Sequence, residues 1–166
     1  LLVLSITWRR ITPTGEITEF RTPVRRTSAP AAITAGPDGD LWFTGLAANR
    51  IGRITPAGAV TVFSTGTTLD RAPADITAGP DGNLWFTEWG SGRIGRISPA
   101  GAVTRFPGPI SAASARITAG PDGNVWFTAG RGRVGRITPH GAVRTFPTGI
   151  HTWLGPQAIM GGPDGN

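Results

Sequence analysis

Few residues in this chain are able to do acid–base or metal chemistry. Cysteine is absent and histidine occurs twice, which excludes thiolate nucleophiles and thiolate metal sites and leaves His140 and His151 as the imidazoles. An imidazole with a pKa near neutrality suits general acid–base catalysis. The ten acidic residues include Asp70 and Asp75, in the loop leading to Ile76, which would add acidity near Glu88. Six tryptophans offer stacking surface, and Trp89 and Trp153 stand apart from the regular spacing described next. No phosphate-cradling glycine loop, serine nucleophile elbow or EF-hand loop accompanies these groups; Pro-Asp-Gly-Asn by itself is a turn.

The elements that must position them repeat. Ile-Thr-Ala-Gly-Pro-Asp-Gly-(Asn/Asp)-(Leu/Val)-Trp-Phe-Thr occurs whole from Ile33, Ile76 and Ile117, and a fourth copy starts at Ile159, so that copies begin 43, 41 and 42 residues apart. A second string, Arg-Ile-(Thr/Ser)-Pro-x-Gly, begins at Arg10, Arg53, Arg96 and Arg136 and leads into stretches ending at Phe20, Phe63, Phe106 and Phe146. Each unit reads as four short strands: Ile76–Ala78, Leu84–Thr87, Arg93–Ser98 and Ala102–Phe106 in the clearest copy. Gly79-Pro80-Asp81-Gly82 and Ser98-Pro99-Ala100-Gly101 form type I turns, because proline presets the first central residue and glycine relieves the fourth. Adjacent large side chains in Leu84-Trp85-Phe86 imply a second strand buried on both faces. Trp42, Trp85 and Trp126 share one repeat position and are read as core.

With 25 glycines and 15 prolines in 166 residues, no segment keeps a 3.6-residue apolar period, and helices are expected to be nearly absent. A period of about 42 residues with four antiparallel strands points to an all-β, β-propeller fold in which each unit is a blade. The expected organisation is one domain over residues 1–166, with units at 1–32, 33–75, 76–116, 117–158 and 159–166, the first and last partial.

The wording of the second copy, Ile76 to Gly101, closely resembles the virginiamycin B lyase (streptogramin B lyase) family, and the resemblance covers essentially the whole chain. It implies a Mg²⁺-dependent carbon–oxygen lyase that opens cyclic streptogramin B depsipeptides by elimination: a base takes the proton alpha to a carbonyl and the ester oxygen leaves. It also implies where the groups sit, on the upper face formed by the end of the second strand and the lead-in to the first. There the family carries a histidine two residues before the first-strand isoleucine in two successive blades. One glutamate lies two residues before the second histidine, and another follows Trp-Phe-Thr. In this chain the histidine slots hold Ala31, Ala74, Ala115 and Gln157, and the positions after Trp-Phe-Thr hold Gly45, Glu88 and Ala129. Glu88 therefore remains as the metal candidate and His151 as the catalytic candidate, with Trp89, Trp153 and Gln157 as candidate contacts to a small cyclic peptide. His140, in the turn Thr138 to Gly141, falls on the lower face. The other reading is a non-catalytic propeller that binds a peptide, glycan or small ligand.

Seven blades at this period need about 290 residues, and this chain supplies four units. The expectation is a stretch truncated at both ends. The alternative is that the termini complete a shared blade, with residues 1–7 standing where a second strand belongs, in a closed four-bladed ring or an eight-bladed dimer. Open blade edges invite such self-association. The net charge of +6 comes from arginines alone, and seven of them fill two repeat columns: Arg10, Arg53, Arg96 and Arg136, and Arg50, Arg93 and Arg133. Columns spread around a ring are not the basic stripe that nucleic acid requires, so no nucleic-acid partner is expected. No membrane partner is expected either. The apolar run at residues 1–7 is too short for an intact signal peptide, and the absence of cysteine leaves the compartment open.

Overall fold

The computed structural model describes residues 5–25, 30–45, 49–66, 72–110, 115–150 and 155–162, with the backbone alone for residues 5–8, 10 and 20–25. Among these residues every regular element is a strand, and none is a helix. Strands β1 (Ser5–Ile11) and β2 (Ile17–Arg25) form a two-stranded antiparallel sheet. Three four-stranded sheets follow, each a meander whose spatial order is its chain order. They are β3 (Pro30–Ala35), β4 (Leu41–Gly45), β5 (Arg50–Ile54) and β6 (Val60–Ser64); β7 (Pro73–Ala78), β8 (Leu84–Glu88), β9 (Arg93–Ile97) and β10 (Val103–Pro107); and β11 (Ile117–Ala119), β12 (Val125–Gly130), β13 (Arg133–Ile137) and β14 (Val143–Pro147). These are the blades of a partial β-propeller. Successive blades meet along their first strands, β3 against β7 and β7 against β11.

Both proline turns have the expected chemistry. In the first, the Gly82 amide donates to the Gly79 carbonyl and the Gly79 amide to the Asn83 carbonyl at 2.7 Å. Gly82 takes φ of +72°, the left-handed residue that closes a three-residue hairpin loop. The turn after the third strand repeats this at Ser98–Gly101, with a Gly101 amide to Ser98 carbonyl bond of 2.8 Å.

The core lies between blades rather than within them. Trp42, Ile51, Ile76, Leu84, Phe86 and Ile97 form one buried cluster at the junction of the first two four-stranded sheets. Trp85, Ile94, Ile117, Val125, Phe127 and Ile137 form the other. Directly opposed residues of antiparallel strands share a face, so Trp85 and Arg96 look toward the following blade, whereas Phe86 and Gly95 look toward the preceding one. One blade buries neither face alone, which is why such units are stable only in arrays.

Gly52, Gly95 and Gly135, the central residues of the third strands, lie beneath Phe43, Phe86 and Phe127, and a Cβ at any of them would collide with the ring. Strand glycines of this kind mark close approach. Gly95→Ala is therefore expected to cost roughly 1–3 kcal/mol by overpacking, read from the urea midpoint at unchanged slope. A loss within a few tenths of a kcal/mol would show that the Phe86 ring yields freely.

Two sequence expectations are corrected here. Residues 5–7 do not form a second-type strand; they begin β1, which pairs with β2 as the third and fourth strands of their unit. Trp126 is half-buried, unlike the fully buried Trp42 and Trp85. Among the described residues no complete sheet lies against its face, and Ile159, Met160 and Gly161 line an apolar cavity of about 490 Å³ with it. The opposite end shows the same effect: Leu41 is 44% exposed where Leu84 is 0%.

Candidate functional site

The upper ends of the blades are joined by the threonine of Trp-Phe-Thr. The Thr87 hydroxyl accepts from the Asp75 amide of its own blade at 3.2 Å and donates to the Ala115 carbonyl of the next at 2.8 Å. Thr44 does the same with the Ala32 amide and the Ala74 carbonyl. Thr44, Thr87 and Thr128 are fully buried. A hydroxyl can accept and donate at once, which a valine of the same shape cannot. The residues in the histidine slots, Ala74 and Ala115, thus serve this joint through their carbonyls.

Glu88 ends β8 and is 0% exposed. Its Oε1 accepts from Arg105 Nε at 2.8 Å and its Oε2 from the Ser91 hydroxyl at 3.1 Å. Arg105 Nη2 also donates to the Thr65 carbonyl of the preceding blade. Opposed pairs Phe86–Gly95 and Gly95–Arg105 carry Arg105 to the same sheet face as Glu88, two residues along. Between them on that face the Phe86 ring covers Gly95. The carboxylate is therefore not a solvated surface group but one end of an ion pair within its blade, on the face toward the preceding one.

Asp75 lies on β7, and its two carboxylate oxygens accept from the Ile76 amide and from the Ile117 amide of the next blade, each at 3.0 Å. Burial raises its pKa above the ordinary aspartate range, against the opposing effect of those amides and of Arg116. The lower face holds the contrasting case. Burial works against ionisation of Asp81 too, yet donors from Trp85, Asn83 and Arg96 bring its pKa below the ordinary range. Trp85 Nε1 donates to Asp81 at 2.9 Å and Arg96 at 3.2 Å, while Arg96 also reaches the Pro139 carbonyl of the next blade at 3.0 Å. Arg53 repeats that reach to the Pro99 carbonyl at 3.2 Å.

The two aspartates consequently affect stability with opposite sign. The contribution of Asp75 is full below the unfolded aspartate pKa of about 3.9 and is lost as pH rises through its raised folded value. That of Asp81 is present above about 3.9 and is lost as pH falls through its lowered folded value. Carboxyl ¹³C titration is expected to place Asp75 above, and Asp81 below, an ordinary aspartate. The reverse order would contradict burial as the dominant effect on Asp75 and the donor set as the dominant effect on Asp81.

Trp89 follows Glu88, is 48% exposed, and donates its amide to the Ala72 carbonyl at 2.8 Å. Gln157 is exposed, and its side-chain amide donates to the Gly155 carbonyl at 3.3 Å. His140 is exposed in its lower-face turn. His151, Trp153 and Asp70 lie outside the described residues. Among the described residues no three His, Asp or Glu side chains gather as a metal site.

Sequence reasoning missed the Thr-mediated joint and Arg105. The signal for Arg105 was available: it departs from its column, whose other members are Glu19, Val62 and Thr145, in the same unit where Glu88 departs from Gly45 and Ala129.

Residues 6–166 match the model of the Virginiamycin B lyase family. Among solved structures the chain is similar to virginiamycin B lyase from Staphylococcus aureus, at 38% identity and a TM-score of 0.86 over 97% of this chain and 55% of that one. The same values hold for a catalytically inactive form of the Staphylococcus aureus protein with quinupristin. A streptogramin B lyase is similar at 35% identity and a TM-score of 0.86, over 96% of this chain and 53% of that one. The chain spans about half the length of these proteins. No curated protein sequence matches it.

Proposed function

The chain belongs to the virginiamycin B lyase family, and from that premise we propose that it forms part of a propeller whose upper face receives a cyclic depsipeptide of the streptogramin B type. The observation that carries this reading is the family match over residues 6–166, supported by the similarity to a relative solved with quinupristin. Trp89 offers an exposed aromatic surface on that face, suited to stacking on the aromatic groups of such a ligand. Trp153 and Gln157 are further proposed ligand contacts, and His151 is the candidate proton acceptor.

The elimination needs a base at the carbon next to the carbonyl and an environment that stabilises the developing enolate. The positions where the family pattern puts its base are alanines in this chain at 31, 74 and 115 and Gln157. The Mg²⁺ implied by the family does not fit the described residues. Both Glu88 oxygens already accept hydrogen bonds, one from a guanidinium, and both Asp75 oxygens accept main-chain amides. Mg²⁺ demands near-octahedral oxygen ligation, so no step is assigned to it here. The second reading, a ligand-binding propeller without catalysis, is favoured by these same alanines and by the neutralised Glu88.

Ring opening of a type B streptogramin by residues 1–166 is expected to run about 10²–10⁴-fold below a family enzyme that has its positioned base, followed by mass spectrometry. Turnover at the family rate that disappears in His151→Ala would assign the base to His151 and remove the non-catalytic reading. Quenching of tryptophan emission by the same ligand, lost in Trp89→Ala, is the expected sign of binding without turnover.

A further inference from the structure

Glu88 and Arg105 are the off-repeat charges of one unit, and the fold brings them together. At the equivalent positions the preceding blade has Gly45 and Val62 and the following blade has Ala129 and Thr145, so neither neighbour can form this pair. Glu88 is fully buried, its Oε1 is 2.8 Å from Arg105 Nε, and its Oε2 accepts from Ser91. Arg105 spends a second donor on the Thr65 carbonyl, whose residue is itself fastened to the Asn49 carbonyl through amide and hydroxyl bonds of 3.1 and 2.8 Å. The chain of bonds runs from the turn holding Trp89 and Ser91, through Glu88 and Arg105, into the blade before it.

We propose that Arg105 is the built-in counter-ion of Glu88, so that this carboxylate, independently of any cation, holds Arg105 against the preceding blade and is not a ligand for a divalent ion. A guanidinium hydrogen-bonded to a buried carboxylate supplies the compensating charge and a fixed direction together. A metal ion at Glu88 would have to displace Arg105, leave that guanidinium without its carboxylate and find its remaining ligands where, among the described residues, no three His, Asp or Glu side chains gather. The proposal does not depend on lyase activity, because it concerns what the carboxylate binds and not what the upper face transforms.

Terbium, which takes oxygen ligands and emits when a nearby tryptophan is excited, tests this in the whole chain together with Mg²⁺. The melting temperature of the unmodified chain is expected to be unchanged by millimolar Mg²⁺. Any terbium emission should be the same in Glu88→Gln. Arg105→Met frees the carboxylate and is expected to gain saturable emission, which Glu88→Gln in the same chain abolishes. Saturable terbium emission or Mg²⁺-dependent melting of the unmodified chain that is lost in Glu88→Gln overturns the proposal. If Arg105→Met does not fold, the Arg105 Nε–H resonance of the unmodified chain decides. Its position should be indifferent to Mg²⁺, and its loss on adding Mg²⁺ overturns the proposal.

Discussion

Trp85→Ala is expected to destabilise the chain by about 3–5 kcal/mol, the range for a large aromatic removed from a packed core. Trp85 is fully buried and stacks on Phe106 with ring centroids 5.2 Å apart. Arg96 lies over both rings at 5.5 Å, and the indole N–H satisfies Asp81 at 2.9 Å. The substitution therefore opens a cavity between two blades and strips a donor from a carboxylate whose low pKa rests on such donors. Trp126→Ala is the internal control. That side chain occupies the same repeat position and keeps its Asp122 bond at 3.1 Å, but it is only half-buried. Its loss should cost clearly less. Urea unfolding of the two variants checks the order, and equal costs would mean that burial between blades does not set the energy of this column.

Arg105→Ala is the second large effect, expected at about 3 kcal/mol, the lower part of the range for removing one partner of a buried ion pair. The lower part applies because the Arg105 side chain is 26% exposed while that of Glu88 is 0% exposed, so water reaches the vacated space from one side. The damage comes from leaving a carboxylate buried with the Ser91 hydroxyl as its remaining described partner, and not from the net worth of the pair. The double substitution Glu88→Gln with Arg105→Met should recover most of the loss, since an uncharged pair of similar volume leaves no orphaned charge. A double variant as unstable as Arg105→Ala would show that the Thr65 carbonyl contact, not the charge, is what matters.

The blade was legible before any coordinates. Proline and glycine at fixed offsets dictate the two turns through local backbone sterics, and the adjacency of Leu84, Trp85 and Phe86 announces a strand covered on both sides. These are properties of neighbours in the chain, and a repeat states them several times over. The candidate ligand face was legible in part, because the alternation of turns assigns Glu88 and Trp89 to one end of the sheet and His140 to the other.

What each polar group is bonded to is a different matter, because those partners lie up to 46 residues away, in the adjacent strand or blade. Glu88 reads as a metal candidate in the sequence and is buried against Arg105 in the fold. Asp75 reads as loop acidity and instead ties its own strand to Ile117. The Trp-Phe-Thr threonine reads as an ordinary strand residue and proves to be the hydroxyl that joins blades. Trp126 shares the sequence environment of Trp85 almost letter for letter yet is half-exposed, because burial in a propeller is conferred by the next sheet. Periodicity and turn chemistry thus determine the strand and the blade, which are short-range objects. Charge compensation arises between strands brought together within a blade and burial where one blade faces another, and there only the tertiary arrangement decides which residue meets which.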